Sequence, residues 1–112
     1  MLDLNNFKPK KEPPFELADE DWIDPTSLIG KPIEIRNVED FENDKGPGAY
    51  ILFTFPGEMK LHYTTTHAGG IMRILANQDL RALLADGEIL PCRINRRPSK
   101  NDSAKTVWEL TE

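Results

Sequence analysis

Residues 49–66 read AYILFTFPGEMKLHYTTT and carry the clearest structural signal in the chain. Aromatic and β-branched residues, which suit a pleated and half-buried surface, dominate residues 49–55 and 59–65. Pro56-Gly57 lies between them and favours a type II turn, because Pro fixes φ at the first central position and Gly accepts a positive φ at the second. The stretch therefore predicts a β-hairpin with a loop of three or four residues.

The predicted strand 49–55 carries large side chains on both of its faces. Ile51 and Phe53 lie on one face, and Tyr50 and Leu52 lie on the other. Both faces carry apolar side chains, so both must find cover or a ligand. This surplus of apolar surface is the main functional clue in the sequence.

The residues before the hairpin predict another strand and a loop. Ile33 and Ile35 alternate with charged residues, which indicates a strand over 33–38 with one face in water. The alternation breaks at Val38, so we expect a β-bulge near Asn37. Residues 39–48, EDFENDKGPG, have the composition of a loop.

The residues after the hairpin predict helix and then two strands. Ile71, Ile74 and Leu75 are spaced as one helical face, with a break expected at residues 77–78 and a second short helix ending at Gly87. Residues 88–96 and 106–110 return to strand character, and residues 96–103 form a polar, basic loop between them.

Five strands with a helix between the third and the fourth is the order of an OB-fold, a small and partly open barrel. We therefore predict a mainly β, five-stranded OB-fold-like barrel over residues 27–112, preceded by an extended acidic arm over residues 1–26. In such a barrel nucleic acid or sugar lies across the second and third strands, between the loops that follow strands one and four.

Charge is distributed unevenly between the arm and the body. Residues 1–44 hold five bases and twelve acids, whereas residues 45–112 hold nine bases and seven acids. Two interpretations of the arm stay open. In the first interpretation, Phe15 and Trp22 cover an apolar patch of the body. In the second, the acidic arm masks a basic groove and competes there with an anionic ligand. The arm is also a candidate docking segment for a protein partner.

Composition excludes several classes of function. No apolar run approaches the ~20 residues of a membrane span, and the N-terminal residues lack the apolar region of a signal peptide, so we expect a cytoplasmic protein without membrane contact. The single Cys92 lies in the apolar run ILPCRI, which favours a core residue over a nucleophile. No cluster of Cys and His predicts a metal site, and no motif predicts a cofactor.

The segments GKPIEI (residues 30–35), 49–55 and YTTT (residues 63–66) together resemble the small OB-fold single-stranded-DNA-binding-like proteins of bacteriophages and other mobile elements. The resemblance covers roughly residues 28–110. It implies non-catalytic binding of single-stranded DNA in replication or recombination. The familiar bacterial single-stranded-DNA-binding protein carries its acidic partner-binding segment at the C-terminal end. This chain departs from it, because its acidic segment lies in the N-terminal residues.

Binding of single strands needs aromatic faces for bases and cations for phosphates. Phe53 and Phe55 are expected in the core, which leaves Tyr50, Tyr63 and Trp108 as stacking platforms. The candidate phosphate contacts share a positive charge and lie within the predicted barrel; they are Arg36, Lys45, Lys60, Arg93, Arg96, Arg97, Lys100 and Lys105.

Two other classes of function compete with this prediction. Catalysis would rest on His62 or His67 beside the threonines, but no third orienting group is evident, so we do not expect an enzyme. The stronger alternative is a small protein–protein interaction module. In that case the aromatic face docks another subunit, for example as a homo-oligomer, and the basic residues are ordinary surface.

Overall fold

The computed structural model describes residues 21–99 and 105–112. Within these residues the chain forms one short 3₁₀ helix, five strands and two α-helices. In chain order they are the 3₁₀ helix Pro25–Leu28, β1 Pro32–Asn43, β2 Gly46–Thr54, β3 His62–Thr66, α1 Gly69–Leu75, α2 Gln78–Ala85, β4 Leu90–Pro98 and β5 Thr106–Thr111.

The strands form one antiparallel sheet in the order β3-β2-β1-β4-β5. In the described part of the chain β3 and β5 do not pair with each other, so the sheet is not closed. The predicted mainly β class and its five strands are confirmed. The predicted helical region is also present, and it divides into α1 and α2 at Asn77, whose side-chain oxygen accepts the Leu80 backbone N–H at 3.1 Å as an N-cap.

The prediction of a loop over residues 39–48 is wrong. β1 continues to Asn43 and β2 begins at Gly46, so only Asp44 and Lys45 separate the strands. The Asn43 side-chain oxygen accepts the Lys45 backbone N–H at 2.9 Å, and Gly46 adopts a φ of +98°. This is a tight hairpin turn closed by a glycine in the left-handed region. The loop-like composition belongs to the tip and to polar strand residues beside it.

The bulge predicted near Asn37 is confirmed. The register between β1 and β2 shifts between Ile35 and Asn37, which makes Arg36 the extra residue. Arg36 Nε donates to the Thr54 hydroxyl at 2.9 Å. Because one residue is added, Val38 faces the core as Ile35 does, and both are buried.

The hairpin around Pro56-Gly57 is longer than predicted. The turn itself forms, since the Glu58 backbone N–H donates to the Phe55 carbonyl at 3.0 Å and Gly57 adopts a φ of +81°. However, β3 begins at His62 rather than at residue 59, and residues 55–61 connect the strands. Met59 is 94% exposed, so these residues lack the burial that would hold them in the sheet.

The bounds predicted for the fourth strand are also shifted. β4 spans Leu90–Pro98 rather than residues 88–96, so Arg96 and Arg97 lie in a strand and pair with Trp108 and Val107 of β5. Pairing with β5 explains why this basic segment is extended rather than looped. Most of the predicted loop, residues 100–104, lies outside the described residues.

The core lies on the sheet face that carries Ile51 and Phe53, as the alternation predicts. Helices α1 and α2 cover part of this face through Ile71, Leu75 and Leu84, which are all buried. The other buried hydrophobic residues of this cluster come from the 3₁₀ helix and the strands; they are Leu28, Ile33, Ile35, Val38, Ala49, Cys92 and Ile94. Tyr50 and Leu52 therefore lie on the opposite face of β2.

The residues that precede the 3₁₀ helix contact the edge of the sheet. Trp22 forms an isolated parallel bridge with Tyr63 of β3, and the Ile23 backbone N–H donates to the Tyr63 carbonyl at 2.9 Å. The Asp24 side chain accepts the Thr26 backbone N–H at the start of the helix. Residues 21–26 of the predicted arm thus contact the body. Phe15 and the rest of the arm, residues 1–20, lie outside the described residues.

Candidate nucleic-acid interface

Four aromatic rings form a row on the face of β1, β2 and β3 that points away from the core. Their ring centroids are 5.2 Å apart for His67 and Phe41, 4.6 Å for Phe41 and Tyr50, and 6.3 Å for Tyr50 and Tyr63. We call Phe41, Tyr50, Tyr63 and His67 the aromatic band. These separations lie in the range of favourable contacts between aromatic rings.

Strand register places the members of the band side by side. Tyr50 pairs with Thr65 of β3, and Phe41 pairs with Gly48 of β2. A side chain at Gly48 would place a Cβ 2.6 Å from the Phe41 ring and 2.8 Å from the Thr66 carbonyl. Only glycine therefore lets the Phe41 ring lie across β2 beside His67.

Exposure differs along the aromatic band. Phe41 and Tyr50 are partly buried and His67 is exposed, whereas Tyr63 is only 5% exposed and offers little ring surface to a base.

The sequence alone predicts Tyr50 and Tyr63 as stacking residues but misses Phe41, because it assigns residues 39–48 to a loop. Its alternation with Asp40 and Glu42 is the signal that could have placed it on a strand face.

A cavity of about 380 Å³ adjoins the aromatic band. We call it the seam cavity, because its lining includes Thr65 at the end of β3 and Trp108 of β5, the two strands that do not pair. Trp22 and His67 also line it. His67 thus belongs to both features. Buried core isoleucines also line the cavity, so it opens on the core side of the sheet and meets the band only at His67.

Arg96 lies beside the seam cavity. Its guanidinium carbon is 4.9 Å from the centroid of the Trp108 ring, in a cation–π contact. Its Nη2 donates to the Thr106 hydroxyl at 3.0 Å. Among the described carboxylates none forms an ion pair with Arg96. The predicted site residues Arg96 and Trp108 are therefore brought together, but on the face of β4 and β5 that carries the buried Ile94, which is opposite to the face of the band.

Arg93 and Arg97, by contrast, are engaged elsewhere. Arg93 donates to the Gly30 carbonyl at 2.8 Å, and Arg97 Nε donates to the Glu109 carboxylate at 2.9 Å. The alternation along β4 places both on the face opposite to that of Ile94, which is buried in the core. Arg97 is thus neutralised locally and supplies little free charge for a phosphate.

The remaining predicted bases are dispersed. Arg36 lies at the bulge, 3.8 Å from the Glu34 carboxylate, and Lys45 is exposed at the tip of the first hairpin. Lys60 lies 4.0 Å from the Asp21 carboxylate, and Lys105 is exposed at the start of β5. Lys100 lies outside the described residues.

The charge around the aromatic band is mixed. Glu39 pairs with Tyr50 across β1 and β2 and shares its face. Arg36 and Lys45 lie on either side of the band along the same hairpin. A ligand phosphate would therefore meet cations at the two ends of the band and a carboxylate at its centre, so the charge here favours moderate rather than tight binding of a polyanion.

In the described region neither histidine side chain is hydrogen-bonded to a threonine hydroxyl, so no nucleophile–base pair forms there. His62 packs 5.8 Å from Phe53 and 5.3 Å from Phe55, measured between ring centroids. His67 Nδ1 lies 3.0 Å from the Pro47 carbonyl.

Burial raises the pKa of the Cys92 thiol to about 11, which keeps it protonated near neutral pH and supports its predicted place in the core.

Comparison of the chain with protein-family models, with curated proteins and with solved structures found no match. The described helices are too short and too polar to cross a membrane. Residues 21–99 and 105–112 also hold no group of three or more His, Cys, Asp or Glu side chains that could bind a metal ion.

Proposed function

We propose that the protein binds single-stranded DNA, without catalysis, along the aromatic band and the seam cavity, in the DNA metabolism of a phage or another mobile element. The observation that carries the proposal is that His67 joins the two features, which otherwise lie on opposite faces of the sheet. His67 contacts the Phe41 ring and lines the cavity together with Trp108. A flexible strand can follow such a path, whereas a duplex presents no unstacked bases to it.

Stacking supplies the attraction in this proposal. Each base that stacks on an aromatic side chain contributes about 1–3 kcal/mol, and any base can do so because every base has a π-face. Phe41 and Tyr50 are only partly buried. Two stacked bases would thus contribute about 2–6 kcal/mol, which alone corresponds to weak binding, so phosphate contacts must add to it.

Phosphate contacts come from a small number of cations. Arg96 has no ion-pair partner in the described region, and Lys45 and Arg36 lie at the two ends of the band. Each neutralised phosphate of a single strand contributes about −0.7 to the slope of log K against log salt concentration. Three contacts predict a slope near −2, which is a measurable but modest salt dependence.

We also infer that the sheet curls into a partly open, OB-like barrel. Its two end strands reach the same opening, because Thr65 of β3 and Trp108 of β5 line one cavity. Helix α1 packs against β5, and a Cβ built on Gly70 would lie 3.2 Å from the Trp108 carbonyl. A helix placed between the third and fourth strands of an OB-like barrel accounts for this contact.

A titration with an oligo-dT strand and with a matched duplex, each at low and moderate salt, tests the proposed function. We expect saturable binding of the single strand that weakens as salt increases, together with much weaker binding of the duplex. Equal affinity for both forms, or no binding of the single strand at low salt and high protein concentration, would overturn the proposal.

A second candidate function is protein–protein interaction, and a specific patch favours it. Ile74, Leu83 and Ile89 are 43%, 53% and 36% exposed, and Ile74 and Leu83 line a groove together with Leu80 and Leu90. Clusters of exposed aliphatic residues mark interaction sites in many proteins. Light scattering of the wild type and of Leu83→Glu tests self-association through this patch. A monomer in both cases would exclude a homo-oligomer formed there.

A further inference from the structure

On the basis of the single-strand binding proposed above, we propose that the seam cavity holds one unstacked base of the bound strand. The base would lie against the indoles of Trp22 and Trp108, and its phosphate would lie at Arg96. This assigns the cavity a role distinct from that of the aromatic band, on which bases stack at the surface.

The size and lining of the seam cavity suit a small aromatic ring. Its volume of about 380 Å³ lies at the lower end of the range for small-molecule sites, which are mostly apolar with a few polar groups. Its lining combines indoles and aliphatic side chains with Thr65 and His67. A flat ring that needs apolar faces and a few polar contacts at its edge matches this surface.

His67 can supply one of those polar contacts. Its Nδ1 lies 3.0 Å from the Pro47 carbonyl, and a carbonyl can only accept a hydrogen bond. The Nδ1 nitrogen therefore carries a proton, and in the neutral ring Nε2 is the nitrogen that can accept a hydrogen bond. A base that presents an N–H at its edge, such as thymine, is a suitable donor.

Arg96 is suited to the phosphate of that nucleotide. It contacts the Trp108 ring at 4.9 Å and makes one hydrogen bond, to Thr106, while a guanidinium offers five N–H donors. Arginine next to an aromatic ring is a combination that serves both base stacking and phosphate binding. Arg97, one residue further along β4, has its charge paired with Glu109 and lacks this freedom.

The two tryptophans make occupancy of the cavity observable. The sequence contains two Trp, and both Trp22 and Trp108 line the cavity. Tryptophan fluorescence therefore reports on the cavity, whereas affinity measured with a labelled strand also includes the aromatic band. These two readouts separate a base in the cavity from bases on the band.

Ala68 provides the test variant, because it lines the cavity and its backbone conformation is extended. Ala68→Leu fills the cavity without altering Trp108 or Arg96, and Ala68→Ser is the matched control that leaves it open. With oligo-dT we expect wild type and Ala68→Ser to show tryptophan quenching. We expect Ala68→Leu to lose the quenching and to bind about tenfold more weakly, the effect of one lost stacked base.

Unchanged affinity and quenching in Ala68→Leu would overturn the assignment of the cavity. The single-strand proposal would survive that result if binding still depended on Tyr50. A thermal unfolding curve shows whether Ala68→Leu is folded. If it is not, Trp22→Ala removes one wall of the cavity at a position that is 41% exposed, and the same loss of affinity is expected.

A further titration covers the case in which oligo-dT does not bind at all and the proposed function fails. Thymidine monophosphate is then added at high concentration and followed by tryptophan fluorescence. Quenching in the wild type that disappears in Ala68→Leu would support a base site in the cavity. No quenching in the wild type would overturn it.

Discussion

Replacement of Tyr50 by leucine should weaken binding of oligo-dT strongly while leaving the fold intact. Tyr50 lies at the centre of the aromatic band, with its ring centroid 4.6 Å from that of Phe41 and 6.3 Å from that of Tyr63. Leucine keeps an apolar side chain on β2 but removes the π-face on which a base can stack. Tyr50→Phe keeps the ring and loses only the hydroxyl, so it is the matched control.

The expected size of the effect follows from the ring that is removed. Loss of one stacked base costs about 1–3 kcal/mol, which corresponds to roughly 5- to 150-fold in the dissociation constant. The two ring contacts of Tyr50 each contribute about 0.5–1.5 kcal/mol to stability. Tyr50→Leu should therefore also lower the free energy of unfolding by about 1–3 kcal/mol, a change that most small domains survive.

The assay is fluorescence anisotropy of a labelled oligo-dT strand, with urea denaturation of each variant to confirm that the protein is folded under the binding conditions. We expect Tyr50→Phe to bind nearly as the wild type does and Tyr50→Leu to bind at least 5-fold more weakly. Equal affinities for the wild type and a folded Tyr50→Leu would refute the claim that bases stack on the band. Equal losses in the leucine and phenylalanine variants would show that the hydroxyl, and not the ring, makes the contact.

Three further predictions concern charge and the core. Arg96→Ala should weaken binding several-fold and reduce the salt slope by about 0.7, while Arg97→Ala should change little because Glu109 pairs with that charge; equal effects in a salt titration would contradict this. Asp40→Asn removes the negative charge and one of the two oxygens that accept from Arg81 at 2.7 and 2.8 Å and should cost about 0.5–1 kcal/mol. Because Arg81 lowers the pKa of the Asp40 carboxyl, this stabilisation should be present at neutral pH and disappear as the pH falls through that lowered pKa, which urea denaturation at several pH values checks. Thr64→Val removes a buried hydroxyl that has no hydrogen-bond partner in the described region and should stabilise the protein by about 1 kcal/mol, and a lower urea midpoint for the variant would count against this.

Local patterns in the sequence predict the strands whose side chains alternate and the turn at Pro56-Gly57. The alternation along β2 correctly separates the face of Ile51 and Phe53 from the face of Tyr50 and Leu52. Only the first of these faces contacts the core. The break between the helices was equally local, since Asn77 caps α2 with its own side chain. In each case the information lies within a few residues.

Strand ends that depend on distant partners could not be predicted in this way. Four of the five residues 39–43 are polar, and the segment is extended because it pairs with residues 46–50 of β2. Arg96 and Arg97 are likewise held in β4 by β5. The register that results from the pairing of β1 with β2 places Phe41 beside Tyr50 on the aromatic band.

The candidate site was predicted in part for the same reason. Tyr50, Trp108 and Arg96 were identified by residue type, since aromatic rings and cations are what a single strand requires. Their grouping depends on which strands meet at the seam cavity, and this is a property of the folded chain. Residue type also could not show that Glu109 neutralises Arg97 or that Tyr63 is buried.

Chemical-shift mapping of the full chain during addition of oligo-dT tests the central claim most directly. If a single strand follows the aromatic band into the seam cavity, the largest changes will occur at Phe41, Tyr50, His67 and the indole N–H of Trp108, while Leu83 on the helical patch stays unchanged. Changes confined to the surroundings of Leu83, or no changes at saturating oligo-dT, would contradict the account.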